Sequence, residues 1–279
     1  MLFGKEGVFV PEIRKAEMNM ERELRGLWRL LYPEDSAEYI ELFFRNRFLP
    51  EETAVVLEGD RICGVMYMLP CVLSGGRKAF YAYAGGIRPE YRGKGYFRLL
   101  VKTLARECSM RNTALFLVPG ENLWDFYRSA GFCREFWRKA LVLAPEAYGD
   151  EIKILPCTAK EYAVMRTGLP KETPLWDVPA LEYAAKEAAF GGGGMIRIKG
   201  GGIDGTALVT KREDDILLQE TTLTAAELHF ASGTLCRAWK VPRLCAHLSA
   251  EEKAGDAELS GLMLGEGVSP GHLALTLIY

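Results

Sequence analysis

The sequence predicts a two-domain α+β protein, in which a mixed, mostly antiparallel sheet flanked by helices is followed by a second, smaller α/β domain. The chain has 279 residues, whereas a single domain has about 150. Apolar residues change between helical and strand spacing in both halves. A Pro, a Gly and acidic residues interrupt this pattern at Pro145–Asp150. We therefore expect domains at residues 1–145 and 150–279.

Two helices are predicted near the start of the chain. Apolar residues at helical spacing end at Pro33, so residues 16–32 should form an amphipathic helix. Ser36, with Asp35 before it, can cap a second helix. This second helix turns three aromatic residues inward, Tyr39, Phe43 and Phe44.

A change to strand spacing predicts the sheet of the first half. Three strands joined by hairpins are expected at Thr53–Leu57, Arg61–Met68 and Lys78–Ala84. They are followed by a helix containing Phe97–Cys108, a strand at Ala114–Val118, a short helix at 122–129 and one or two strands in Phe132–Leu143. The order ααβββαβα implies one mostly antiparallel sheet with helices on its faces.

The second half repeats this order in outline, without a repeat at the level of residues. Asp177 and Pro179 open a helix that ends at Phe190. The remaining predicted elements are the strands Met195–Lys199, Gly205–Lys211 and Ile216–Glu220, the helix Thr224–Trp239 and the strand Val241–Leu248. We interpret this half as a related topology.

Charge and hydropathy exclude several function classes. Lys and Arg total 35 and Asp and Glu total 37, so no diffuse basic field exists to bind nucleic acid. The longest uncharged run, Ile62–Gly76, is shorter than the ~20 residues of a membrane span, and Pro70 interrupts it. Lys5 and Glu6 precede any apolar run long enough for a signal peptide. We therefore expect a cytoplasmic protein without a membrane partner.

The cysteines predict neither a disulfide framework nor a metal site. They number seven and are scattered without a CxxC pair, which is typical of small apolar residues in a reducing compartment. Cys245-Ala246-His247 is the one metal-like pattern, and it lacks two further ligands at zinc spacing. The three histidines, His229, His247 and His272, are interpreted as structural or surface residues.

The segment Arg92-Gly93-Lys94-Gly95 predicts an anion site, because it opens directly into an apolar helix. The first turn of a helix leaves about four N–H groups without partners, and its dipole adds partial positive charge. A phosphate group can bind there. The segment matches neither the nucleotide loop GxxxxGK[ST] nor the dinucleotide loop GxGxxG, because Arg98 occupies the third glycine position.

Two motifs make residues 12 to about 143 resemble the GNAT acyltransferase superfamily. The family pattern Arg-x-x-Gly-x-Gly/Ala is matched except at its last position, where a phenylalanine replaces a small residue, by Arg92, Gly93, Lys94, Gly95, Tyr96 and Phe97. The segment Leu123–Phe132 is similar to the family motif FYxxxGF. The resemblance implies a GNAT fold, followed by a degenerate GNAT-like second half that has lost the phosphate-binding segment. As in two-domain members of the family, this half would complete the sheet of the first domain and wall the acceptor pocket.

The resemblance also implies roles for particular residues. Residues 92–97 would hold the diphosphate of acetyl-CoA, and the preceding strand would separate from its neighbour at Gly85-Gly86 to admit the pantetheine arm. The backbone N–H groups of Gly86 and Ile87 would then stabilise the thioester oxyanion. Tyr127 would be the general acid, because a hydroxyl with an ordinary pKa of about 10 is protonated at pH 7.

The predicted function is an acetyl-CoA-dependent N-acyltransferase that moves an acetyl group to a small primary amine by direct attack in a ternary complex. The general base stays open, with Glu121, Asp125 and the C-terminal carboxylate of Tyr279 as candidates. The acceptor, the acyl length and the presence of a homo-oligomer also stay open. One turn and three inward aromatic residues should border the acceptor pocket: Pro33–Ser36, Tyr67, Phe80 and Tyr83.

Two alternatives belong to other classes. One is a non-catalytic acyl-CoA-binding or sensory protein, which would retain the phosphate site and show no turnover. The other is an aminoacyl-tRNA-dependent transferase on paired GNAT-like domains, which requires a basic groove. The formal charge of −2 argues against the second alternative.

Overall fold

A computed structural model describes residues 11–146, 151–166 and 169–272. Contacts group the chain into two compact units, each made of two chain segments. As far as they are described, the first unit comprises Met1–Leu69 and Ala82–Asn112, and the second comprises Pro70–Tyr81 and Thr113–Tyr279.

The first half contains the predicted elements and one additional strand at its start. Its strands are β1 (Glu12–Lys15), β2 (Thr53–Glu58), β3 (Arg61–Leu73), β4 (Lys78–Ile87), β5 (Ala114–Leu117) and β6 (Phe132–Leu143). Its helices are α1 (Glu21–Leu31), α2 (Ala37–Asn46), α3 (Tyr96–Met110) and α4 (Trp124–Ser129). Short 3-10 turns lie at Met18–Met20, Pro50–Glu52 and Pro89–Tyr91. The predicted order ααβββαβα is therefore present.

The second half adds short elements that the apolar pattern did not predict. Its helices are α5 (Ala159–Met165), α6 (Val178–Phe190) and α7 (Ala225–Trp239). Its strands are β7 (Lys153–Pro156), β8 (Pro174–Leu175), β9 (Gly194–Gly200), β10 (Ile203–Lys211), β11 (Asp215–Thr221), β12 (Arg243–Ser249), β13 (Asp256–Met263) and β14 (Gly265–Val268). The elements missed are α5, β7, β8, β13 and β14, which are short or rich in polar residues.

Aromatic packing forms the core of the first unit. Helices α1 and α2 contribute Trp28 and Phe43, whose ring centroids lie 4.7 Å apart. Tyr67 on β3 and Tyr83 on β4 lie 5.2 and 5.9 Å from the Trp28 ring. Trp28 is only 1% exposed and Phe43 is fully buried. Aromatic pairs at these separations add about 0.5–1.5 kcal/mol each beyond the apolar area that they bury.

The second unit repeats the order of the first half, as the sequence predicts. Strands β9 and β10 form an antiparallel hairpin, and β10 pairs antiparallel with β11. Helix α7 then connects β11 to the parallel strand β12. In the first half, α3 connects β4 to the parallel strand β5. The same order of strand, helix and parallel strand is thus used twice.

Strands from the end of the chain join those of the first half within the second unit. Strand β13 lies between β5 and β6 and pairs antiparallel with both. The other side of β6 pairs with β12. The predicted boundary at 145–150 stays a prediction, because residues 147–150 lie outside the described residues. The compact units divide the chain elsewhere, since β13 ties the end of the chain to β5 and β6.

A buried ion pair lies among the elements of the second unit. Arg166 and Glu220 are joined by two hydrogen bonds of 2.6 and 3.0 Å, and their side chains are 2% and 0% exposed. Arg166 also donates to the carbonyl of Pro174 at 2.9 Å. Because water cannot solvate these charges, each one depends on the other.

Candidate functional site

The predicted anion-binding segment forms a turn that only glycine fits well. Strand β4 ends at Ile87, and α3 begins directly after Gly95. Gly93 and Gly95 have φ angles of +78° and +80°. These angles are left-handed, where a side chain would be strained. The two glycines therefore allow the chain to turn from the strand into the helix within a few residues.

Helix α3 begins without a side-chain cap. Four other helices, α2, α5, α6 and α7, each have a side-chain oxygen over the first turn, from Ser36, Thr158, Asp177 and Thr224. The N-cap of α3 is Gly95, which has no side chain to offer. A Cβ built on Gly93 or Gly95 would meet no heavy atom within 4 Å. The start of α3 thus presents backbone N–H groups beside open space, as a bound phosphate requires.

The basic side chains around this segment already have partners within the protein. Arg92 Nε donates to the carbonyl of Ile87 at 3.3 Å. Lys94 Nζ lies 3.2 Å from a carboxylate oxygen of Glu58 at the end of β2. Arg88 Nε donates to the carbonyl of Ile62 at 2.7 Å. The backbone is therefore the part of this segment that is most available to an anion.

Strand β4 is irregular and tightly packed just before this segment. Ala84 has a φ of +46°, which is unusual for a residue with a side chain. A Cβ on Gly86 would come within 2.8 Å of Leu31, and one on Gly85 would collide with Met66. The Tyr32 hydroxyl donates to the carbonyl of Gly85 at 3.1 Å. The glycine pair thus lets the end of α1 pack directly onto the strand.

The turn between α1 and α2 brings polar groups to the same part of the first unit. Trp28 Nε1 donates to Asp35 Oδ2 at 2.6 Å, and the hydroxyls of Tyr39 and Tyr83 lie 3.0 Å apart. Burial, followed by the charges of Asp35 and Glu34, raises the pKa of Tyr32 well above its ordinary value. The Tyr32 hydroxyl is therefore a hydrogen-bond donor and stays protonated at physiological pH.

The residues expected to border an acceptor pocket differ in their surroundings. Tyr67 and Tyr83 are 1% and 3% exposed and belong to the aromatic core of the first unit. Phe80 is half-buried and lies in the second unit. In the turn at 33–36, Asp35 is half-buried and Pro33, Glu34 and Ser36 are exposed. That these residues border a pocket stays a prediction.

Tyr127 lies on α4 in the second unit, whereas the predicted cofactor residues Gly86–Phe97 lie together in the first. Tyr127 is 6% exposed and packs edge-on against Phe126 and Phe132, with ring centroids 5.2 and 5.7 Å away. At the two ends of this short helix, the backbone N–H of Tyr127 donates to the carbonyl of Leu123 and that of Ala130 donates to the carbonyl of Tyr127. Burial holds the ring in one orientation, as a proton donor requires.

The nearby carboxylates considered as a base are exposed. Glu121 is exposed, and the side chain of Asp125 is fully exposed, 3.5 Å from Arg128. Tyr279, whose carboxylate was the third candidate, lies outside the described residues. We therefore assign no general base.

The second half has lost the features that make the start of α3 suited to an anion. Thr224 accepts from the N–H of Glu227 at 3.3 Å, and Glu227 accepts from the N–H of Thr224 at 2.8 Å. This reciprocal cap occupies the start of α7. A cavity of about 240 Å³ lies beside it, lined by residues that include Thr221–Thr224 and Ser249. No glycine or arginine lies among its lining residues.

Cysteines and histidines in the described residues show no sign of a metal centre. No group of three or more His, Cys, Asp or Glu side chains in these residues is arranged to hold a metal ion. Burial lowers the pKa of His247 to about 3. All seven cysteines are free thiols, and Cys133 is exposed, so it is not the buried apolar residue that the sequence suggested.

Within the described ranges, no helix is long and apolar enough to cross a membrane.

Comparison with known families agrees with the geometry of the first half. Residues 12–134 match the family described as an acetyltransferase (GNAT) domain. This part of the chain is a GNAT acetyltransferase domain. The match contains both motifs up to Phe132 and ends within β6. No curated protein matches the chain.

Solved structures extend the similarity in fold beyond the GNAT domain. A GCN5-related N-acetyltransferase from Anabaena variabilis matches 91% of this chain and 72% of its own, at a TM-score of 0.70 and 13% identity. A GCN5-related N-acetyltransferase from Kribbella flavida matches 91% of this chain and 70% of its own, at a TM-score of 0.67 and 16% identity. A tandem GNAT protein from the clavulanic acid biosynthesis pathway matches 93% of this chain and 100% of its own, at a TM-score of 0.54 and 15% identity. The predicted GNAT fold with a second GNAT-like half is thereby confirmed.

Proposed function

We propose that this GNAT protein is an acetyl-CoA-dependent N-acyltransferase that transfers an acetyl group to a small primary amine. The observation that carries the proposal is the start of α3, where a left-handed glycine replaces a side-chain cap and leaves open space over the first turn. A family match to acetyltransferase domains adds support for acyl transfer in general.

The residues that hold acetyl-CoA in this proposal belong to the first unit. Backbone N–H groups from Gly93 to Phe97 bind the diphosphate, and the positive end of the α3 dipole strengthens these bonds. Phe97 replaces the small residue of the family pattern, and its ring lies near Gly85 without occupying the space beside Gly95. The donor set is made of backbone, so the substitution does not remove it. The capped start of α7 favours one cofactor per chain.

The N–H groups of Gly86 and Ile87 stabilise charge on the acyl oxygen in this proposal. When bound, acetyl-CoA supplies a thioester carbonyl, which a neutral amine attacks as the carbon–sulfur bond breaks. Each backbone donor aimed at a developing oxyanion contributes about 3 kcal/mol. The left-handed residue Ala84 and the packing of Leu31 against Gly86 fix the direction of this part of β4.

Tyr127 serves as the general acid that protonates the departing thiolate. Its hydroxyl gives up a proton and regains one from solvent. A base or water removes one proton from the acceptor ammonium before the neutral amine attacks, and a second proton from the nitrogen as the amide forms. Direct attack is favoured over a covalent cysteine, because burial raises the pKa of several thiols and disfavours the nucleophilic thiolate. These thiols are Cys63, Cys108, Cys157, Cys236 and Cys245.

Calorimetry with acetyl-CoA and a free-thiol release assay over a panel of amines test the proposal. We expect Tyr127→Phe to lower kcat about 100-fold or more while leaving the Kd for acetyl-CoA within about twofold. Tyr183→Phe is the matched control, since Tyr183 is also buried in a helix of the second unit. Its kcat should equal that of the wild type.

Three results separate the proposal from its alternatives. Binding without turnover for any amine would favour an acyl-CoA-binding or sensory protein. No binding of acetyl-CoA at millimolar concentration would overturn the proposal. An unchanged kcat for Tyr127→Phe would remove Tyr127 from the mechanism and leave the transferase assignment in place.

A further inference from the structure

The ammonium group of Lys94 is held against the hairpin that joins β2 to β3. Its Nζ atom lies 3.2 and 3.4 Å from the two carboxylate oxygens of Glu58. It also lies 4.7 Å from the ring centroid of Tyr91 and 5.6 Å from that of Tyr96. These contacts all lie in the first unit, and they hold a cation that the diphosphate-binding segment itself contributes.

Glu58 is a well-positioned partner for this ammonium. The Tyr96 hydroxyl donates to Glu58 Oε2 at 2.6 Å, so the first residue of α3 fixes the carboxylate. The hydrogen bond from Tyr96, with Lys94 adding to it, lowers the pKa of Glu58. The same bond raises the pKa of Tyr96 to about 12. Glu58 is therefore an anion at neutral pH, next to the segment proposed to bind another anion.

We propose that Glu58 and the diphosphate of acyl-CoA compete for the Lys94 ammonium, so that Glu58 limits the affinity of the protein for its acyl donor. The inference rests on the proposed function. With Glu58 as the partner of Lys94, the ammonium of Lys94 is not available to the diphosphate. A bound diphosphate can recruit Lys94 only by breaking its ion pair with Glu58.

Other basic residues of the segment do not offer the same choice between partners. Arg92 donates to a backbone carbonyl, which carries no net charge. Arg88 donates to the carbonyl of Ile62 and lies 3.4 Å from Glu23 at the start of α1. Lys94 is 45% exposed and bears its charge at the end of a flexible side chain, so it can move between two anions.

The competition has a modest expected size. The Lys94 and Glu58 side chains are 45% and 20% exposed, and partly exposed ion pairs contribute little because solvent screens them. Removing the charge of Glu58 should therefore strengthen acetyl-CoA binding by about three- to fivefold. Salt should reduce this gain, because a Debye length of about 8 Å at 0.15 M screens exposed charges.

The test compares acetyl-CoA binding by calorimetry at low salt in the wild type and four variants. Glu58→Gln removes the charge and retains an oxygen acceptor for Tyr96. Asp60→Asn is the matched control, because Asp60 is exposed on the same hairpin turn. Lys94→Met, alone and combined with Glu58→Gln, shows whether the effect passes through Lys94. Thermal melting of each variant checks that it is folded.

We expect Glu58→Gln to lower the Kd about three- to fivefold, Asp60→Asn to change it less than about 1.5-fold, and Glu58→Gln to have no effect in the Lys94→Met background. An unchanged or higher Kd for Glu58→Gln, or an equal gain without Lys94, would overturn the inference and leave the proposed function intact. No acetyl-CoA binding by the wild type would overturn both.

Discussion

Replacing Gly95 with alanine perturbs the start of α3 by a single methyl group. Gly95 has a φ of +80°, and a Cβ there would meet no heavy atom within 4 Å. The cost of the methyl group is therefore conformational and involves no collision. A left-handed conformation costs a residue with a side chain about 1–2 kcal/mol. We expect Gly95→Ala to lower the free energy of unfolding by about 1 kcal/mol.

The same change should weaken binding of acetyl-CoA. Alanine relieves its strain by rotating out of the left-handed region, which turns the N–H groups from Gly95 to Phe97 away from a common point. A hydrogen bond to a charged group contributes about 1.5–3 kcal/mol, so losing one such bond weakens binding about tenfold or more. Calorimetry with acetyl-CoA measures this loss, and urea denaturation measures the change in stability.

Gly76→Ala is the matched control for this experiment. Gly76 lies in the turn between β3 and β4, has a φ of +85°, and also leaves open space for a Cβ. Its substitution should cost the same stability and leave the Kd for acetyl-CoA unchanged. Equal Kd values for the Gly95 and Gly76 variants would refute the role of the α3 start in binding. An unchanged stability in both would refute the argument from backbone conformation.

Two further predictions concern buried ionisable side chains in the second unit. Glu220→Gln leaves the Arg166 guanidinium without a counter-charge and should lower the free energy of unfolding by about 3 kcal/mol. The double variant of Arg166→Met and Glu220→Leu should lose less in urea denaturation, and an equal loss would contradict the reasoning. Burial lowers the pKa of His247 from its ordinary value of 6.5 to about 3. As the pH falls, His247 is protonated in the unfolded chain before it is protonated in the folded protein, so the free energy of unfolding decreases between about pH 6.5 and pH 3. His247→Gln should make that fall shallower, with His272, whose pKa burial also lowers, accounting for part of the remainder.

Much of the first half was predictable because its signals are local. Pro33 ends α1 and Ser36 caps α2 through the N–H of Tyr39, as expected from their residue types. The glycine-rich start of α3 was also recognisable, since left-handed residues are usually glycines. Ala84 had no such signal, because alanine gives no hint of the positive φ that it adopts in β4.

Partners that come from distant parts of the chain were not predictable. Glu58 and Lys94 are separated by 36 residues, and neither residue type identifies the other as its partner. The same holds for Arg166 and Glu220, which are 54 residues apart. Charged residues are frequent along the chain, so only the folded structure shows which of them form ion pairs.

The sequence by itself determined the elements of the first half other than β1, the glycines at the start of α3 and the absence of a matching phosphate segment before α7, because each depends on a few neighbouring residues. The tertiary structure alone decided that β13 lies between β5 and β6, that Glu58 holds Lys94, and which residues form each compact unit. Strand pairing and ion pairing join residues far apart in the chain, and their choice depends on the free energy of the whole fold.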